Sequence, residues 1–213
     1  MEIEREEFLR YLGWKGQEVG EELERKLDEA AKRCLALATP RCVVRKFALG
    51  EDLTLIGTDF APAGEDIRRH LSGCKEAYLF AATIGTGAER ELTKLFAKSA
   101  EEALLFDTAA SCAVESYADE VCEDLEKSAG RRLTSRFSCG YGDFPLEQQR
   151  DICKLLRTDV RIGVCCDENF LLTPRKSITA LIGITEEKPA ENKSCCAHKC
   201  AACNNAACAF RKA

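Results

Sequence analysis

The chain has no run approaching the roughly 18 consecutive apolar residues of a membrane span. Its first residues, Met-Glu-Ile-Glu-Arg-Glu-Glu, are charged where a signal peptide is apolar. A cytoplasmic protein with no membrane contact is expected. Basic clusters are missing too: Lys and Arg are interspersed with Asp and Glu at a net charge of −5, so a nucleic-acid surface is not expected. Histidine is scarce. With only His70 and His198 in 213 residues, no Ser/His/Asp arrangement stands out and no catalytic residue is assigned. His70 follows two arginines in a short helical stretch and reads as a surface residue.

An apolar fraction of 46% fills a proper core, and the length suits one large domain or a domain with an appendage. The fourteen cysteines are unusual, because a reducing compartment makes structural disulfides a poor explanation for them. Nine are dispersed through apolar stretches, singly or as Cys165-Cys166, where cysteine acts as a small buried hydrophobe. The other five fall between Cys195 and Cys208.

Val19, Leu23, Leu27, Ala30, Cys34 and Leu37 recur at helical spacing, which predicts a helix over Gly20 to Ala38, ended before Pro40. Cys42 to Leu49 and Leu53 to Thr58, separated by Gly50-Glu51-Asp52, read as a β-hairpin. A short helix is expected over Asp66 to Ser72 and a buried strand over Ala77 to Ile84, broken by Gly85-Thr86-Gly87. From Ala88 to Gly130 the pattern is two helices joined near Ser99 to Glu102. Val114, Tyr117, Ala118, Val121 and Leu125 form the inner stripe of the second, with Glu115 at its edge. Gln148 to Leu156 reads as helix, Arg161 to Cys166 as extended, and Ser177 to Ile184 as a final strand. The expected fold class is α+β: a largely antiparallel sheet packed with long helices.

Within this frame Arg136-Phe-Ser-Cys-Gly-Tyr-Gly-Asp-Phe-Pro145 stands out. Gly140 and Gly142 allow positive φ or close approach of another group, Arg136 can fork onto a carboxylate, and Tyr141 offers a ring face and a hydroxyl. The same pattern also describes a glycine-rich turn between strand and helix with Tyr141 in the core. Asp143 reads as a turn residue bonded to its own backbone.

This segment, the preceding Ala113-Val-Glu-Ser-Tyr-Ala118 and the later Leu172-Thr-Pro-Arg-Lys-Ser177 together resemble the activation domain of cobalamin-dependent methionine synthase. The resemblance extends to Ala82-Thr-Ile-Gly-Thr-Gly87 and covers most of Lys75 to Ile184. It implies binding of S-adenosylmethionine, with Arg136 on the ligand carboxylate, the backbone at Ser138 and Gly140 holding the ligand, Tyr141 lining the pocket, and Glu115 near the cationic amino group. Lys176 and Ser177 would close the pocket or simply enter a strand. It also implies a repair role, in which cobalamin that has slipped to inactive cobalt(II) is reduced and trapped by methylation. Proximity and orientation would be the protein's contribution. The chain has no room for homocysteine, folate or cobalamin domains. The cobalamin would therefore be carried by a partner, methionine synthase or a related corrinoid protein, with an electron donor such as ferredoxin or flavodoxin.

The remaining organisation is an activation-like domain over 1–184, a polar linker over 185–194 and a cysteine-rich tail over 195–213. Cys196, Cys200, Cys203 and Cys208 supply four closely spaced thiolates suited to an iron-sulfur cluster or to tetrahedral zinc, and so short a tail would need the metal as its core. The second functional reading is an iron-sulfur or zinc protein that docks to a corrinoid or redox partner without binding S-adenosylmethionine.

Overall fold

A computed structural model describes residues 1–187. Cys196, Cys200, Cys203 and Cys208, and most of the linker before them, lie outside the described residues.

Two helices open the chain, α1 (Arg5–Tyr11) and α2 (Glu21–Leu37). Strand β1 (Arg41–Ala48), helix α3 (Glu65–His70) and strand β2 (Glu76–Thr83) follow, then helices α4 (Thr86–Phe96) and α5 (Ala100–Ala129). Beyond the loop come α6 (Gln149–Leu156), α7 (Thr158–Ile162), the short strands β3 (Cys165–Cys166) and β4 (Leu172–Thr173), and β5 (Ser177–Ile184). The main sheet has the order β1-β2-β5, antiparallel throughout, with Phe80 paired to Val44 on one side and Ala180 on the other. The α+β expectation holds.

The joint between α4 and α5 falls at Ser99, whose hydroxyl accepts the Glu102 amide at 3.2 Å as an N-cap. At the other end Gly130, in the left-handed region, closes α5. At 1.5 Å per residue this 30-residue helix runs about 45 Å and so serves two cores. Its first half packs with α1, α2 and α4 through Phe106, Ala110 and Val114 against Phe8, Leu27, Cys34 and Leu92. Ala118 and Cys122 of its second half lie on one sheet face with Phe80, Ala82, Ala180 and Ile182. The opposite face buries Leu79, Ala81 and Leu181 under Ile67 of α3, Ile152 and Leu156 of α6 and Ile162 of α7. β2 is buried on both faces, which is why it reads as a continuous apolar run.

Two expectations fail. Leu53 to Thr58 is not the second strand of a hairpin: only an isolated bridge joins Leu49 to Leu55, Leu53 has φ +68°, and the Leu55 amide turns to Phe60 O at 2.9 Å. Arg161 to Cys166 is not extended throughout, because α7 runs to Ile162 and Gly163, at φ +71°, ends it. The N-terminal helix α1 went unpredicted, because Phe8 and Leu9 are its only buried residues. No helix among the described residues is long and apolar enough to cross a membrane.

Candidate functional site

Between α5 and α6 the chain runs beside β5 without becoming a regular strand. Leu133 pairs with Ile184 and Phe137 with Leu181, so four residues on one side oppose three on the other. That one-residue slip is a bulge, and a slip of one reverses which face each side chain takes. Leu133 joins the α5 side of the sheet, whereas Phe137 packs on the α3 and α6 side. Arg136, next to Phe137, is thereby turned toward α5.

There the guanidinium meets two carboxylates. Arg136 Nη2 donates to Glu115 Oε2 at 2.6 Å, and Nη1 lies 2.6 Å from Asp119 Oδ1 and 3.5 Å from Cys122 Sγ. Residues four apart share a helix face, so Glu115 and Asp119 reach one cation together. The arginine side chain is only 3% exposed, while Glu115 and Asp119 keep 32% and 39%. The cluster thus buries its cation and presents its carboxylates to solvent. Tyr11 of α1 lies close enough to feel the charge of Glu115. Its phenol is pushed up to about 12, first by burial and then by the charge of Glu115.

The loop after Arg136 is tightly turned. Gly140 N donates to Phe144 O at 2.8 Å, Tyr141 N to Ser138 O at 3.1 Å and Phe144 N to Tyr141 O at 3.0 Å, so these amides are engaged within the turn. Tyr141 is 55% exposed, not in the core, and its ring stands edge-on to Phe137 at 6.0 Å. Gly140 has φ +86° with room beside it. Gly142 has φ +54°, and a Cβ there would strike the Asp66 carboxylate. Its lack of a side chain serves the fit to α3.

Asp143 does not bond its own turn as expected. Its carboxylate accepts the amides of Glu65 at 2.7 Å and Asp66 at 2.9 Å, capping α3 across the fold, and these amides hold its carboxyl below the usual range. His70 is not a surface residue either. It is half-buried, 2.8 Å from Ser135 O, with its ring 4.9 Å from that of Phe137, and burial lowers its pKa. The loop is therefore pinned by β5 on one side and α3 on the other.

Lys176 and Ser177 are both engaged within the fold. Lys176 Nζ lies 2.8 Å from Asp107 Oδ1 and donates to Ser111 Oγ at 2.9 Å, and Ser177 Oγ donates to Pro174 O at 2.6 Å. Cys34, Cys112, Cys122, Cys139 and Cys153 are buried as expected, whereas Cys42 and Cys165 are exposed. Burial pushes the Cys139 thiol up to about 12, so it stays protonated filler beneath the loop. No group of three or more His, Cys, Asp or Glu that could hold a metal is gathered among the described residues.

Of the residues marked out by the sequence, Glu115 lies on Arg136, and Ser138, Gly140 and Tyr141 stand in the adjoining turn. Asp119 was not marked out, although the spacing of four from Glu115 carried the signal. Nor was Tyr11, which no local pattern marks.

An antiparallel sheet with a long helix on one face and a bulged edge segment aiming an arginine at that helix defines the class: an α+β architecture. No family model and no curated protein matches the chain. Among solved structures, the crystal structure of the MetH reactivation domain bound to AdoHcy is similar in fold, with a TM-score of 0.64 and 16% sequence identity. The match covers 88% of this chain and 75% of that one. This chain has the reactivation-domain fold.

Proposed function

We propose that this protein binds S-adenosylmethionine at the Arg136 loop and supports reductive methylation of oxidised cobalamin carried by a partner. The partner would be a cobalamin-binding methionine synthase or a related corrinoid protein. The observation that carries this reading is the cluster of Arg136 with Glu115 and Asp119 in a chain with the reactivation-domain fold. S-Adenosylmethionine brings a sulfonium, an ammonium and a carboxylate, and the cluster offers a complement to each sign. The ligand carboxylate takes one edge of the guanidinium in exchange for Glu115 or Asp119, and the displaced carboxylate turns to the ligand's cationic centres. Of the backbone at Ser138 and Gly140, the Ser138 amide and the Gly140 carbonyl, which the turn's own hydrogen bonds do not use, would hold the ligand, and Tyr141, already exposed, closes over it.

The chain's own part is to bind and orient. The sulfonium supplies the methyl group, the partner's reduced cobalt accepts it, and an electron donor such as ferredoxin or flavodoxin provides the electron. No general base is required, since no proton moves in the transfer. Metal in the cysteine tail, as an iron-sulfur cluster or zinc on Cys196, Cys200, Cys203 and Cys208, belongs to the same proposal as an accessory electron source or a folding core.

The test mixes the protein with a cobalt(II) corrinoid protein, S-adenosylmethionine and a low-potential reductant while the cobalamin spectrum is followed. Methylcobalamin should accumulate only when this protein is present. A rate no faster than that of the mixture without it refutes the role. Asp119→Asn should weaken S-adenosylmethionine binding about tenfold by calorimetry, and an unchanged affinity would remove Asp119 from the site.

A further inference from the structure

Four of the nine cysteines among the described residues gather around α6 and the β3–β4 hairpin beside it: Cys139, Cys153, Cys165 and Cys166. Cys153 follows Gln149 by four residues and Arg150 by three, so these side chains share one side of α6, and that side is fixed to the hairpin turn. Gln149 Nε2 donates to Phe170 O at 2.5 Å and Arg150 Nη2 to Asp167 O at 3.1 Å. The turn is braced in its own right, because the Asp167 carboxylate accepts the amides of Asn169 at 2.9 Å and Leu171 at 2.8 Å. Cys166, directly before Asp167, is thereby held against the helix one turn beyond Arg150, and its thiol shares a hydrogen bond with that of Cys153.

Successive strand residues point to opposite sides, so Cys165 is exposed while Cys166 is half-buried against α6. Cys153 is buried, and Cys139 lies behind the pair beneath the Arg136 loop, its thiol raised first by burial and then by Cys153 and Cys166. One member of the pair is open to a small molecule and the other is shielded. Burial raises the Cys166 thiol, and the Arg150 guanidinium beside it pulls it back toward the thiolate. Cys34 and Cys112 also adjoin, but both are buried in the helical core, where no small oxidant meets either thiol.

We infer that Cys153 and Cys166 form a dithiol site for peroxide, which oxidises the pair to a disulfide joining α6 to β3. With hydrogen peroxide, the Cys166 sulfur attacks one oxygen and the O–O bond breaks. Cys166 becomes a sulfenic acid, and the departing hydroxide leaves as water with the Cys166 proton. The Cys153 sulfur then attacks the Cys166 sulfur, the S–O bond breaks, and the second water leaves with the Cys153 proton. Two thiols lose two electrons and one peroxide takes them up. In a reducing compartment the pair rests as the dithiol, and a small dithiol reductant restores it. The bond fastens α6, the element that follows the Arg136 loop, to the hairpin, and it forms whatever that loop binds.

The test exposes the full chain to hydrogen peroxide, alkylates the remaining thiols, and maps disulfides by peptide mass spectrometry without reduction. A Cys153–Cys166 bond within one chain should account for most of the oxidised Cys153. Cys166→Ser should cut Cys153 oxidation about tenfold, and Cys165→Ser should leave it within about twofold of the parent. In Cys153→Ser, Cys166 should stop at the sulfenic acid, which dimedone traps. Cys153 that is still free to be alkylated when the oxidised chain is unfolded overturns the proposal. So does Cys153 joined to Cys139, to Cys165, to a cysteine outside this hairpin or to a second chain.

Discussion

Two cations from the later part of the chain reach α5, and they are held in opposite ways. Lys176 meets one carboxylate, Asp107, and one hydroxyl, Ser111, and leaves no excess charge. Arg136 meets two carboxylates that remain about a third exposed. A unit charge about 4 Å from a ligand cation is worth about 1 kcal/mol in water and about 4 kcal/mol at the effective dielectric of a protein surface. The first pairing is a strap between β5 and the helix. The second joins a buried cation to two carboxylates that face solvent, the arrangement on which the proposed function rests.

The comparison breaks most visibly at the arginine. Arg136→Ala leaves two carboxylates facing each other without a cation, and should lower unfolding free energy by about 2–4 kcal/mol in urea titrations while reducing S-adenosylmethionine affinity at least a hundredfold. Gly142→Ala tests the loop instead of the charge. With φ at +54° and the Asp66 carboxylate in the way, a Cβ should cost about 1–3 kcal/mol of stability and weaken the ligand through a displaced Tyr141. Lys176→Met sharpens the contrast from the other side: about 1 kcal/mol of stability lost, with ligand affinity within twofold of the parent.

The smallest effect concerns pH. Asp143 has a folded pKa below its unfolded one because the Glu65 and Asp66 amides favour the carboxylate. Its contribution is therefore present above about pH 4, the unfolded carboxyl value, and lost as pH falls through the lower folded value. The stability difference between the parent and Asp143→Asn, measured by denaturant titration, should be constant from pH 8 to 5 and shrink below pH 4.

The sequence carried the periodic parts of this fold well. The helices α2, α4, α5 and α6 and the strands β2 and β5 announce themselves because each buries a defined face, and Ser99 marks its joint by capping chemistry. The failures share a cause in long-range pairing. Leu53 to Thr58 has the apolar content of a strand, but Leu53 turns at φ +68° and the Leu55 amide bonds Phe60 O instead of a neighbouring strand. The Arg136 loop was legible as a set of residue types, and Asp119 was within reach of the helical repeat. The bulge that turns Arg136 toward α5, and the capping of α3 by Asp143 from 77 residues away, depend on contacts that no local window contains.

In the proposed function Arg136 is a forked receptor and not one more strap. Calorimetric titration of the full chain and of Arg136→Lys with S-adenosylmethionine tests this directly, because lysine keeps the charge and loses the second edge. One-to-one binding to the parent with at least tenfold weaker binding to Arg136→Lys is the predicted result. No heat with the parent, or equal affinity for the two proteins, would contradict it.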